Sequence, residues 1–127
     1  MDEYILREGD FLVSQTDERG TILFANDDFC KIAGYTLEEL IGKPHNIVRH
    51  EDMPKSAFED LWNTVTQDLV WHGYVKNKTK NGGFYWVYAT VYPLYDEERQ
   101  IKTYLSCRRK PSEAEITEAQ ALYTTMY

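Results

Sequence analysis

Apolar and polar positions alternate near both ends of the chain and fall at three- and four-residue spacing in its middle. FLVSQT at residues 11–16 and TILFA at 21–25 alternate, which predicts two strands. Asp17-Glu18-Arg19-Gly20 between them supplies turn residues, with Gly20 able to take positive φ. Asn26 reads as a helix N-cap followed by the first-turn acids Asp27 and Asp28. Phe29, Ile32 and Ala33 sit at helical spacing, and Gly34 stops that helix. Thr36 and Glu39 form a capping box for a second short helix, with Tyr35 and Leu40 placed as a hydrophobic staple. Gly42 and Pro44 end it. Asp52 is expected to cap the next helix, with Pro54 early in its first turn and Ala57, Phe58, Leu61, Trp62 and Val65 as its apolar stripe.

Past Asp68 the period returns to two. Residues 71–79 and 84–94 read as strands around an Asn81-Gly82 turn, and 101–109 as another. Ser112 opens a last helix with Ile116, Ala119 and Leu122 on one side. Two strands, short helices and three strands predict an α+β domain. Its five-stranded antiparallel sheet would carry the helices on one face, with a cleft under the helix holding Phe58 and Trp62. Residues 1–10 are expected to form an N-terminal cap, 11–110 the domain, and 111–127 a C-terminal connector helix.

The alternation also assigns faces. Trp71, Gly73, Val75 and Asn77 share one side of their strand, and His72, Tyr74, Lys76 and Lys78 the other. The lysines belong to solvent, so the first set is expected to face the helices. In the next strand Tyr85, Val87, Ala89 and Val91 join them, and Gly73 with Ala89 leaves room for a planar ring. Trp86, Tyr88 and Tyr92 then point outward with Tyr74. Such a face needs cover, from residues 4–6, from the C-terminal helix, or from another protein.

Composition narrows the function. A chain of 127 residues suits one domain, and a net charge of -7 argues against a nucleic-acid surface. No run approaches the roughly 20 apolar residues of a membrane span. The acidic start MDEYILREGD lacks the apolar stretch of a secretory signal. Cys30 and Cys107 make neither a disulfide framework nor a CxxC pair, so a cytoplasmic chain with reduced thiols is expected.

The polar candidates gather in PHNIVRHED at residues 44–52. Arg49 could bind phosphate oxygens or other negative charge, and His50 could donate or accept a proton near neutrality. Glu51 and Asp52 could instead neutralise both. Asp52 is either a cap or a group orienting Arg49 or His50, and Asn26 is a cap first and a ligand contact second. Asn77 can donate and accept together, matching the imide edge of a flavin or a nucleobase, or can be satisfied by backbone or water. Trp62 and Trp71 read as core residues that also line the cleft. A zinc site from His45, His50 and Asp52 lacks a sulfur ligand or a tight helical histidine pair. His45 otherwise reads as a loop histidine with a backbone partner.

DERGTILFANDDF at 17–29, GYTLEELIGKP at 34–44, and strands ending VYPL and YLSCR resemble PAS domains. PHNIVRHEDMPKSAF, LW, WHGYVKNKTKNG and YWVYA are similar to the FAD-binding PAS domains of aerotaxis receptors and to the separate PAS partners of bipartite energy-taxis systems. The resemblance runs from about Leu12 to Tyr123. It implies a PAS fold and a flavin redox sensor that takes FAD in preference to FMN. Asn26, Arg49, His50, Asp52, Trp62, Trp71 and Asn77 occupy the motif positions. It also implies a homodimer working with a chemoreceptor HAMP or signalling domain, or with a separate receptor protein. Covalent light chemistry of the LOV type would need a cysteine in the KPHNIVRH loop, which has none. The helix of Phe58 has no histidine to ligate haem iron. The alternatives are a cofactor-free PAS dimerisation module and a small flavoenzyme, the latter weakened by the lack of a placed acid, base or nucleophile.

Overall fold

The computed structural model describes residues 2–126. Strands β1 (Leu12–Asp17) and β2 (Ile22–Ala25) form the first hairpin. Helices α1 (Asp27–Ala33), α2 (Leu37–Leu40) and α3 (Lys55–Val65) follow, with a short 3-10 helix at His45–Val48 between the last two. Strands β3 (Trp71–Lys78), β4 (Phe84–Asp96) and β5 (Ile101–Arg109) lead into α4 (Glu113–Met126). The sheet order is β2-β1-β5-β4-β3 with every pair antiparallel, so the first and last strands lie together at its centre. The α+β architecture expected from the sequence is present, with β4 running two residues past its expected end at 94.

Local signals explain the start of the helical segment. Asn26 Oδ1 accepts from the backbone N–H of Phe29 and of Val13, each at 3.0 Å, and its Nδ2 donates to the Phe11 carbonyl at 2.8 Å. One side chain thus caps α1 and fastens it to β1. Gly34 ends α1 at φ 84°, a left-handed conformation that favours glycine. Thr36 and Glu39 make the expected capping box on α2.

The cap expected at Asp52 is not formed. Helix α3 begins after Pro54, which offers no side-chain cap, and the Asp52 carboxylate accepts from Lys76 Nζ at 2.6 Å instead. A long-range ion pair has displaced a local capping preference.

Phe29, Leu40, Val48, Val65, Tyr85 and Val87 are fully buried between the sheet and helices α1–α3. The opposite face is covered by α4. Its Ser112 and Glu115 form a capping box, and Glu115 also accepts from the Tyr74 hydroxyl. Tyr123 stacks on Trp86 with centroids 6.3 Å apart, and its hydroxyl donates to the Tyr74 carbonyl at 2.6 Å. The buried stripe of α4 is therefore Ile116, Ala119 and Tyr123, while Leu122, expected inside, is exposed. The N-terminal segment adds cover at the start of β4, with Tyr4 N–H donating to the Phe84 carbonyl and Leu6 buried. Tyr92 stays 39% exposed at the uncovered end of the outer face.

Candidate functional site

Between α3 and the sheet lies a cavity of about 100 Å³, partly open to solvent. That is below the roughly 300–1,000 Å³ of small-molecule sites, so a ligand of that class needs the side chains around the cavity to move apart. Strand alternation builds its floor. Trp71, Val75 and Asn77 come from β3, Ala89 and Val91 from β4, and Tyr104, Ser106 and Arg108 from β5. Phe58, Leu61 and Trp62 of α3 form the opposite wall, and His45, Asn46 and Arg49 close one end.

Arg49 reaches the cavity because its segment clips onto the edge of the sheet. It pairs with Asn77 in an isolated antiparallel bridge, and the next N–H, that of His50, donates to the Lys76 carbonyl at 3.3 Å. The Arg49 guanidinium lies over the Phe58 ring, 3.7 Å from its centroid. Burial pulls its pKa below the usual value.

Arg49 Nε and Ser106 Oγ, both on lining residues, are buried without a partner, while Asn77 Nδ2 and the hydroxyl of Tyr85, opposite it in the β3–β4 register, face each other without forming a well-aligned hydrogen bond. Burial holds the Tyr85 phenol protonated, its pKa raised to about 12. Buried polar groups without partners are uncommon, and their grouping beside the cavity makes this its polar end.

A second polar group sits deeper. Arg108, only 5% exposed, donates through Nη1 to Ser14 Oγ at 3.0 Å and bonds through Nη2 to His45 Nε2 at 2.9 Å. Ser14 Oγ and His45 Nε2 are themselves 3.0 Å apart. Burial, then the Arg108 and Arg49 charges, push the His45 pKa down to about 3, so the ring is neutral and accepts from the guanidinium. Burial also lowers Arg108, to about 10, leaving it charged at physiological pH. Among the described residues that line the cavity none is an aspartate or glutamate, in a chain of net charge -7.

The room expected over Gly73 is taken. A Cβ at Gly73 would lie 2.2 Å from Trp71 Cη2, because the Trp71 indole folds back along its own strand face. Trp71 Nε1 donates to Asp60 Oδ2 of α3 at 2.9 Å, which fixes the ring there. Trp62 packs edge-on to Tyr104 at 5.4 Å and lies against Gly20.

Of the residues singled out in the sequence, Arg49, Asn77, Trp62 and Trp71 line the cavity. His50, Asp52 and Asn26 do not. Arg49 has extended backbone (φ -71°, ψ 126°), so successive side chains point to opposite sides. His50 is accordingly buried edge-on to Phe84, its Nδ1 accepting from the Asp52 N–H at 3.0 Å. Burial and then Lys76 lower its pKa. Asp52 reaches Lys76 on the surface, and the Asn26 side chain is spent on backbone. His45, left without a role in the sequence, is the histidine at the cavity. Ser14, Ser106 and Arg108 went unnoticed, although alternation along residues 101–109 puts Tyr104, Ser106 and Arg108 on one face. Cys30 and Cys107 are free thiols and neither lines the cavity.

Comparison with known proteins agrees with this architecture. A family model described as the PAS fold matches residues 22–107. The chain is 46% identical over 115 residues to the aerotaxis receptor of Escherichia coli (strain K12), covering 91% of this chain and 22% of that protein. It is 27% identical over 105 residues to the nitrogen fixation regulatory protein of Klebsiella oxytoca, covering 83% of this chain and 21% of that protein. The chain thus spans about a fifth of the length of these curated relatives. The dark structure of the blue-light photoreceptor Aureochrome1 LOV superposes with a TM-score of 0.72 at 20% identity, over 93% of this chain and 86% of that one.

Proposed function

The chain belongs to the PAS family, and on that premise we propose that it is a flavin-binding redox sensor module of energy taxis. The observation that carries this reading is the set of buried polar atoms without partners at one cavity: Arg49 Nε, Asn77 Nδ2 and Ser106 Oγ. An amide, a guanidinium and a hydroxyl beside apolar walls suit a planar heterocycle with a polar edge. Flavin is such a group, and when bound it supplies reversible uptake of electrons and protons. In this assignment Asn77 holds the polar edge, Arg49 supplies positive charge, and Phe58, Trp62 and Val91 supply the apolar walls. His50, Asp52 and Asn26 serve by placement. His50 and Asp52 pin the Arg49 segment to β3, and Asn26 fastens α1 to β1.

FAD is favoured over FMN by a second groove outside α3, lined by Arg49, Lys55, Phe58, Glu59, Trp62 and Asn63. It shares Arg49, Phe58 and Trp62 with the cavity, so a ligand too long for the cavity would meet the same three side chains where they border the groove. The module acts in the cytoplasm as a sensor and not as an enzyme. Its partner is a chemoreceptor signalling domain or a separate receptor protein. It works as a homodimer, reading the flavin state through the sheet to the face under α4. The aerotaxis receptor at 46% identity supports this setting.

A cofactor-free interaction module is the competing reading, favoured by the Trp71 indole lying over Gly73. The test is direct. The purified chain is examined for a flavin absorption band, and the cofactor released by heat is chromatographed. Bound FAD is expected. A colourless chain that takes up nothing on adding FAD overturns the sensor reading.

A further inference from the structure

Arg108 is a buried cation whose neighbours do not cancel its charge. Its partners, Ser14 and His45, are neutral acceptors that fix the direction of the guanidinium, and the Phe29 ring lies 5.2 Å from its central carbon. The titratable groups acting on it are Tyr85 and Cys107. Both are kept neutral by burial, which raises each pKa. No carboxylate is among them. Taking an arginine out of water without a counter-charge is strongly unfavourable. Burial accordingly lowers its pKa, and it lines the cavity. A residue kept at that cost, facing a cavity lined by a second arginine, points to a ligand that carries or gains negative charge.

We propose that Arg108 sets the charge state the cavity prefers, favouring the electron-rich, reduced form of a bound flavin over its oxidised form and so raising its reduction potential. This rests on the flavin reading above. Each electron taken up adds one negative charge unless a proton follows it. Arg108 has no proton to yield near neutrality, so its positive charge stays fixed while the charge opposite it grows. In a site of low effective dielectric that attraction is larger than in water. Ser14 and His45 are positioning residues: they aim the guanidinium and carry no charge of their own.

The test is an anaerobic electrode titration of the chain loaded with FAD, for wild type, R108Q and R108K. Dissociation constants of oxidised and reduced FAD are measured alongside. R108Q is expected to weaken reduced FAD at least tenfold more than oxidised FAD, which lowers a two-electron potential by about 30 mV. R108K should recover most of that. S14A and H45A, which keep the charge but free its direction, should lower the potential by less. Equal weakening of both forms in R108Q, or no recovery in R108K, overturns the proposal by showing a merely structural arginine. If R108Q does not fold by circular dichroism, unchanged potentials in both S14A and H45A overturn it. A wild-type chain that takes up no FAD overturns the flavin reading itself.

Discussion

Arg49 and Asn77 meet across an isolated antiparallel bridge, and each keeps a buried side-chain nitrogen without a partner on the wall of the same cavity. The bridge joins the loop after the 3-10 helix to the edge strand β3, so the two donors are set by backbone pairing rather than by side-chain chance.

That arrangement makes Asn77→Ala separable from a folding defect. The free protein loses no well-formed bond to Nδ2, only its contact with the Tyr85 hydroxyl, so its melting temperature should change little. FAD binding should weaken by about 1–3 kcal/mol, the value of a buried hydrogen bond lost on one side. Thermal melts without FAD and a fluorescence titration with it check both halves.

His45 predicts an acid-sensitive fold. Its folded pKa of about 3 lies below the unfolded value of 6.5, so the unfolded chain binds the proton that the native one refuses. Stability is then fully present above pH 6.5 and falls as pH drops below it, at up to about 1.4 kcal/mol per pH unit. His50, shifted in the same direction, adds to the slope. Urea unfolding between pH 6.5 and 5, above most carboxylate titration, should show this loss, and His45→Gln should flatten it.

Gly73→Ala should push the Trp71 indole off the sheet, since the new Cβ would sit 2.2 Å from Cη2. Overpacking of this kind costs about 1–3 kcal/mol. In a Trp71→Leu background most of that cost should vanish. A double-mutant cycle in urea measures the coupling, and additive costs would show that Gly73 answers to something other than Trp71.

The cover on the outer face yields a last expectation. Tyr123→Phe loses one hydrogen bond to the Tyr74 carbonyl and should cost about 1 kcal/mol. Tyr123→Ala also empties the stack on Trp86 and should cost about 3 kcal/mol or more. Equilibrium unfolding followed by tryptophan fluorescence distinguishes the two.

What the sequence made legible was local or periodic. Asn26 caps α1 because its partner Phe29 lies three residues on, and the Thr36–Glu39 box needs only three residues. Period-two alternation put Trp71, Val75 and Asn77 on the cavity side of β3 and Ala89 and Val91 on that of β4. Failures came where distant groups compete. Asp52 was drawn from a helix cap to Lys76, 24 residues on. The Ser14–His45–Arg108 cluster spans separations of 31, 63 and 94 residues and has no spacing to read. His50 reads as a ligand contact from its proton chemistry and its place in the motif, but it follows Arg49 in extended backbone, where adjacent side chains face opposite ways. Gly73 looked like space for a ligand because the sequence does not show how Trp71 turns back over it.

The two arginines inside an acidic shell also bear on how fast a ligand is captured. At long range an anionic ligand meets a body of net charge -7, and only within the cavity does it meet cations with no acid lining it among the described residues. Exposed charges are screened over about 8–10 Å in physiological salt, whereas buried ones are screened far less. Added salt therefore removes the outer repulsion before it touches the inner attraction. Capture of an anionic ligand quickens as ionic strength rises, the reverse of ordinary steering into a basic cleft.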